Sequence, residues 1–541
     1  MKILKNGLIA LMFLSSILLA ACNSNSGSTG GNSSEAGDGG TMFVGLVNPP
    51  TSLNPINSGD VAAQFLEKFM FDTFLEMTEP LVFQPKLAES FETTDNQTFT
   101  IKLHPDAAWA DGTPVTANDV AFTMNTVANP KTETTVGGYL VTIEGLDENG
   151  KLMNGDTEIP SLKIIDDKTI EFRTKKPVDP NMIKEQLGSK FMILPEHILG
   201  DVAPENLAKD PFMQKPTVTN GPFKFVQHKK DQYVEYEKNT DYYLGEPELD
   251  KFFVKIMPAA NLVAQLQTGE IHMNAAGGIG KIAVQDFKTV QGFDNVTTET
   301  SPTIGYQVMM FNMKKITDPK VRKAMAYAIN RQKIVDQLLQ GNGEIVDGPY
   351  TSVNPYLNKD MENYTYDPDK AKQLLEEAGW DLSTPINLVV PIGNKVREQS
   401  ADLIAQDLKA VGLNIQTTTY DFPTIMSKGK AGDFDLLLIG FTNTIDPDVS
   451  NNYSVNGAYN FMGYENPRNT ELLQQGQAEA DLEKRKQIYG ELQEIWNEDL
   501  PSFTLYSDYD FAAVSKKVAV GEPRVFGWHY ELYKWALQGA Q

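Results

Sequence analysis

Cys22 is the only cysteine in this 541-residue chain. With no second thiol it has no disulfide partner within the chain. It directly follows Leu19-Ala20-Ala21, whose small residues suit a signal-peptidase cut. Five histidines, His104, His197, His228, His272 and His529, are too scattered for close metal-ligand spacing. Neither a G-x-S-x-G elbow nor an H-E-x-x-H helix is present. Gly277-Gly278-Ile279-Gly280-Lys281 hints at a phosphate loop, but Ala275 replaces its first glycine and no Ser or Thr follows Lys281. A glycosidase pair could still hide among 71 acids. These patterns assign no catalytic residue, cofactor or metal ligand.

These residues need elements to position them. Lys2 and Lys5 precede an apolar run from Gly7 to Ala21. Its length of about 15 residues suits a signal peptide and falls short of the roughly 20 that span a bilayer. Residues 1–21 are therefore read as a signal peptide. Residues 22–40 are almost all Asn, Ser, Gly, Thr, Glu, Asp and Ala, a composition expected to give a flexible tether. No later run is apolar enough to cross a membrane. The formal charge of −24, from 47 basic and 71 acidic residues, excludes nucleic acid as a natural partner.

From Thr41 short apolar runs alternate with amphipathic stretches. Met42–Val47 reads as a strand stopped by Asn48-Pro49-Pro50, and residues 61–76 as a helix. Strands are expected over 98–103, 164–172 and 436–440, the last a buried all-apolar run. Helices are expected over 318–339 with Pro319 in the first turn, over 366–378 ended by Gly379, over 397–410, and as one or two within 469–498. The pattern argues for α/β lobes.

Leu19-Ala20-Ala21-Cys22 resembles the lipobox of bacterial lipoproteins. The resemblance implies cleavage before Cys22 and a lipidated sulfur; the alternative is a plain secretory signal with a chance cysteine. Further motifs follow in order. They are Pro85-Lys86-Leu87-Ala88-Glu89-Ser90-Phe91-Glu92, Trp109-Ala110-Asp111-Gly112-Thr113-Pro114-Val115-Thr116-Ala117-Asn118-Asp119-Val120, Asn220-Gly221-Pro222-Phe223, Asp318-Pro319-Lys320-Val321-Arg322-Lys323-Ala324 and Asp433-Phe434-Asp435. Together they resemble solute-binding protein family 5, the peptide- and nickel-binding proteins of ABC importers. Leu194-Pro195-Glu196-His197 and Gly393-Asn394-Lys395-Val396-Arg397-Glu398 look most like the oligopeptide-binding lipoproteins of Gram-positive bacteria.

The resemblance implies an α/β, two-lobed periplasmic-binding-protein-like trap (type II, cluster C). Lobe 1 would comprise 41–301 and 508–541, with an extra subdomain over 56–180; lobe 2 would comprise 302–507. The implied partners are a peptide and the permease of an ABC transporter, for a monomer anchored by lipid on the outer face of a Gram-positive cell membrane. Metal-chelate uptake is the second reading within the same class. By the same resemblance, Gly440, Phe441, Thr442, Asn443, Thr444 and Asp446 line the cleft. Phe441 either stacks on ligand or packs. Many peptide binders place an aspartate for the ligand's amino terminus where this chain has Thr444. Asp446 substitutes for it, or the amino terminus is not fixed there, or Asp446-Pro447-Asp448 is a helix start or turn. Asn456, Tyr459 and Asn460 follow in a polar-aromatic loop. Asn48, Pro49 and Thr51 approach from the other lobe, Tyr139 from the extra subdomain, and Phe503 and Tyr506 lie near the second crossing. About half of this set is expected to touch the ligand.

Overall fold

The computed structural model describes residues 39–50, 52–57, 60–361 and 363–539. The expected signal peptide, Cys22, most of the expected tether and Thr51 lie outside them.

Two mixed sheets organise two α/β lobes. The first sheet has the strand order Val296–Ser301, Asp510–Ser515, Met273–Asn274, Thr41–Leu46, Lys251–Ile256, Tyr233–Lys238, Phe223–Lys229. Thr41–Leu46 lies parallel to both of its neighbours. The second sheet has the order Gly343–Glu344, Ser502–Asp508, Gly305–Phe311, Leu436–Thr442, Pro385–Pro391, Asn414–Tyr420. Val296–Ser301 belongs to the first sheet and Gly305–Phe311 to the second, so the chain crosses between them at residues 302–304. It returns at Tyr509, between Ser502–Asp508 and Asp510–Ser515. A separate sheet of Ala88–Thr93, Thr98–Leu103, Thr169–Arg173 and Lys163–Asp166 stands apart from both.

The run Leu436–Ile439 is wholly apolar because both faces of its strand are covered. Leu436 and Leu438 enter one core with Met309 and Phe311. Leu437 and Ile439 enter another with Val308 and Met310. Alternate side chains point to opposite faces, so a central strand needs apolar residues at every position. The Trp109 segment is turn chemistry followed by a helix. Trp109 is buried, Gly112 takes the left-handed φ of 87° that favours glycine, and Thr116 and Asp119 form a capping box on Ala117–Ala128.

Three elements differ from expectation. The helix expected over 61–76 ends after Val61–Glu67, and Leu75–Glu79 is a strand. The carbonyls of Phe69 and Met70 accept from Phe223 and Gly221, so long-range partners take over from the helical ladder. The strand expected over 164–172 is a hairpin of Lys163–Asp166 and Thr169–Arg173, turned where the Asp166 carboxylate accepts the Lys168 N–H at 2.8 Å. The helix expected over 318–339 is two, Pro319–Ala328 and Arg331–Gln337; Ile329 is extended and the Asn330 side chain caps the second helix through the Lys333 N–H. The caps at Asp318 and Asp367, each followed by proline, stand where the sequence puts them.

Candidate functional site

A cavity of about 750 Å³ opens where the two crossings pass, with Thr303, Ile304, Asp508 and Tyr509 on its wall. That volume is within the range of small-molecule and short-polymer sites. The strand Leu436–Thr442 delivers the next part of the wall, from Gly440 through Ile445. Its pairing with Gly305–Phe311 is complete, from Gly305 opposite Thr442 to Phe311 opposite Leu436. On its other side the ladder with Pro385–Pro391 covers only Leu436 and Leu437. The strand therefore reaches the cavity paired along one edge only.

Gly440 has a steric reason to be glycine. A Cβ there would lie 2.6 Å from Gln307 Nε2 and 2.9 Å from Arg397 Nη2. These two side chains fill the space beside it, joined by a 2.7 Å hydrogen bond from Arg397 Nε to Gln307 Oε1. Arg397 is aimed by its helix: the Asn394 side chain caps Lys395–Ala410 by accepting the Arg397 N–H at 3.0 Å. Burial lowers the Arg397 pKa. Phe441 meets Tyr306 at 6.1 Å and Tyr459 at 5.9 Å between ring centroids, an aromatic surface at the cavity edge.

The opposite wall comes from the first lobe and the separate sheet's surroundings. Lys68 and Glu76 pair at 3.3 Å, and burial is the largest influence lowering the Lys68 pKa. Glu185 pairs with Lys190 at 2.9 Å and also accepts the backbone N–H groups of Ile445 at 3.2 Å and Asp446 at 2.8 Å. Those last two bonds span from the segment Lys184–Gly188 to the loop after Leu436–Thr442. A second tie runs in parallel: Arg485 Nη1 reaches Asp179 at 3.1 Å, and Tyr356 Oη donates to the same carboxylate oxygen at 3.1 Å. Trp528 and His529 close the wall from the C-terminal segment; burial, then Lys68, drives the His529 pKa well below its ordinary value.

The cavity gathers Tyr139, Gly440, Phe441, Thr442, Asn443 and Thr444 from the expected set. Thr444 donates to the Asp446 carbonyl at 3.1 Å, and Asn443 reaches Tyr306 Oη and the Pro349 carbonyl. Asp446 is off the wall and buried, its carboxylate held by Arg485 at 2.6 and 3.1 Å. Phe503 is buried under the Arg331 guanidinium, and Tyr506 is buried with its hydroxyl 3.4 Å from Ser400. Asn460 ties its own loop together through Ser454 and Tyr464; Tyr459 is exposed beside Phe441. Asn48, Pro49 and Asn456 are exposed and outside the cavity wall. The sequence reading passed over Lys68, Glu185, Gln307, Asp510 and the Trp528-His529 pair. Arg397 stood within a recognised segment without a role. Spacing carries no mark of these residues, because they converge from distant parts of the chain.

A cavity between two α/β lobes joined by two crossings defines a solute-binding protein of the hinged-trap class, a binder rather than an enzyme. Residues 82–463 match the profile described as "Bacterial extracellular solute-binding proteins, family 5 Middle", and the chain belongs to that family. It is similar to the oligopeptide-binding protein AppA of Bacillus subtilis, 28% identical over 525 residues that cover 92% of each chain. The solved structure of that AppA in complex with a nonapeptide matches with a TM-score of 0.75 and 27% identity, covering 93% of this chain and 100% of the other. The substrate-binding protein CtaP of Listeria monocytogenes matches with a TM-score of 0.80 and 26% identity, covering 92% and 99%. Among the described residues no helix is long and apolar enough to cross a membrane, and no cluster of His, Cys, Asp or Glu is arranged to hold a metal.

Proposed function

We propose that this protein captures oligopeptides outside the cell and delivers them to the permease of an ABC importer. The observation that carries the reading is the strand Leu436–Thr442, which enters the cavity with a ladder partner on one edge only. An extended peptide satisfies such an edge through its own N–H and C=O groups whatever its sequence. The alternative, burying those groups unpaired, is costly. Arg397, on the same wall and in no ion pair among the described residues, with Asp508 and Glu398 acting on it only at a distance, is suited to a ligand carboxylate. The AppA relative supports the peptide class through its nonapeptide complex.

In this reading lobe 1 comprises 41–301 and 508–541, with 56–180 as its extra subdomain, and lobe 2 comprises 302–507. The lobes hinge at the two crossings and close on the ligand. The monomer is held by lipid on Cys22 at the outer face of a Gram-positive cell membrane, with residues 22–40 as leash. Two or more acyl chains hold stably, at about 0.8 kcal/mol per buried methylene.

Native mass spectrometry of the chain expressed without residues 1–22 tests the reading. The expected result is a ladder of added masses that resolve into peptides on denaturation. A single non-peptide or metal-bearing adduct would replace the peptide reading with chelate uptake.

A further inference from the structure

The cavity wall carries four acids, Glu76, Glu185, Asp508 and Asp510, and five basic groups, Lys68, Lys190, Lys281, Arg397 and Arg524. Most are spent on one another. Glu76 pairs with Lys68, Glu185 with Lys190, and Asp508 with Lys281. Arg524 pairs with Glu522 just beyond the wall. Two groups remain without an ion pair among the described residues, and they have opposite signs: Arg397 and Asp510.

Asp510 opens the strand that follows the second crossing. Its carboxylate accepts backbone N–H groups, from Gly277 at 2.8 Å and Phe511 at 3.1 Å, and feels Lys281 only at a distance, because that ammonium is paired with Asp508. Burial raises its pKa, and these bonds offset that only in part. Its neighbours leave room for a ligand, since a Cβ on Gly277 or Gly278 would meet nothing within 4 Å. By contrast Asp446, the acid in the loop after Gly440, has both oxygens on Arg485 and no place on the wall. A carboxylate held in a half-buried site without a cation is stabilised by any cation that fills the site.

We propose that Asp510 binds the free amino terminus of the ligand, which places the amine anchor at the second crossing rather than in the loop after Gly440. This rests on the peptide reading. The ligand's ammonium supplies the directly paired cation that Asp510 lacks. Because Asp510 lies at a hinge segment, the same contact links ligand capture to the position of the crossing.

The test uses a randomised, lysine-free peptide library made in free-amine and N-acetylated forms, so the only amine is the terminal one. Wild-type protein is expected to bind the free-amine form roughly 10- to 100-fold more tightly, as a charge-assisted hydrogen bond in a partly buried site provides. Asp510→Asn is expected to erase most of that difference, while Asp369→Asn, at an exposed acid off the cavity wall, retains it. Equal wild-type affinity for the two forms, or a penalty for acetylation that survives Asp510→Asn, overturns the assignment and leaves the peptide reading standing. Failure of both forms to bind wild-type protein removes both readings. Should Asp510→Asn not fold, a crystal structure of the wild type with a free-amine peptide decides the point. An amine beyond about 4 Å from the Asp510 carboxylate overturns the proposal.

Discussion

Replacing Glu185 by leucine tests whether the walls of the cleft are held together from within. In the present arrangement the Glu185 carboxylate accepts the N–H groups of Ile445 and Asp446, both buried residues on the facing loop. Leucine preserves volume and offers no acceptor. When the lobes are together, two buried donors then lose their partner, at about 1–3 kcal/mol each. Because Glu185 lines the cavity, water can reach part of the gap, so the low end applies, about 2 kcal/mol in all. When the lobes are apart those donors face water in either protein, and the substitution costs little. The closed-to-open ratio therefore falls by about 30-fold. If the closed form is the one that retains peptide, apparent affinity falls by up to the same factor. Small-angle scattering of the ligand-free protein is expected to show a larger radius of gyration, and calorimetry a weaker peptide dissociation constant. Glu185→Gln, which keeps one acceptor, is expected to fall between. An unchanged scattering profile with a dissociation constant within about twofold of wild type would refute the reasoning.

Asp446→Asn removes one partner of a buried bidentate pair and is expected to destabilise the fold by about 3–5 kcal/mol, read as a lower melting temperature. Its effect on free-amine and N-acetylated peptides should be equal; a selective loss of free-amine binding would restore Asp446 as the amine anchor. His272 supplies a pH dependence. Burial, then Lys517 and Lys255, depress its pKa to about 4, and its Nδ1 accepts the Phe43 N–H at 3.0 Å. The unfolded chain takes up the proton near pH 6.5 while the folded one refuses it. Stability is therefore full above about pH 6.5 and is lost as the pH falls to about 4, by roughly 3 kcal/mol. Melting curves of His272→Gln should lose that slope, and an identical slope in the variant would assign it to other groups. Cys22→Ala should leave the protein unlipidated and unprocessed or shed, measured by fractionation of cells; normal anchoring would contradict the lipid reading.

Much of the framework is legible along the chain because its causes are local. Asp318-Pro319 and Asp367-Pro368 start helices, since a capping carboxylate and a fixed φ act within three residues. Leu436–Ile439 declares a strand covered on both faces by being apolar at every position. The errors arise where distant groups compete with local preference. Residues 69–76 keep an apolar spacing that suits a helix, but the carbonyls of Phe69 and Met70 are claimed by a segment more than 150 residues away. Gly440 through Thr444, which the family resemblance places at the cleft, continue the strand into its loop, and all five are on the cavity wall.

By itself the sequence determined an α/β chain, through its alternating apolar runs and amphipathic stretches, and, through its family motifs, the class of solute-binding protein. Those properties are sums over many residues or patterns within a few, and neither needs a third dimension. Only the tertiary structure decided how the charges are spent. Asp446 and Arg485, 39 positions apart, neutralise each other in the core. Asp510, an acid like the other 70 on paper, is left on the cavity wall without an ion pair among the described residues, its nearest cationic influence, Lys281, being paired with Asp508. An acid becomes a site or a strut according to the cation that folding brings within about 4 Å, and residue type does not encode that distance.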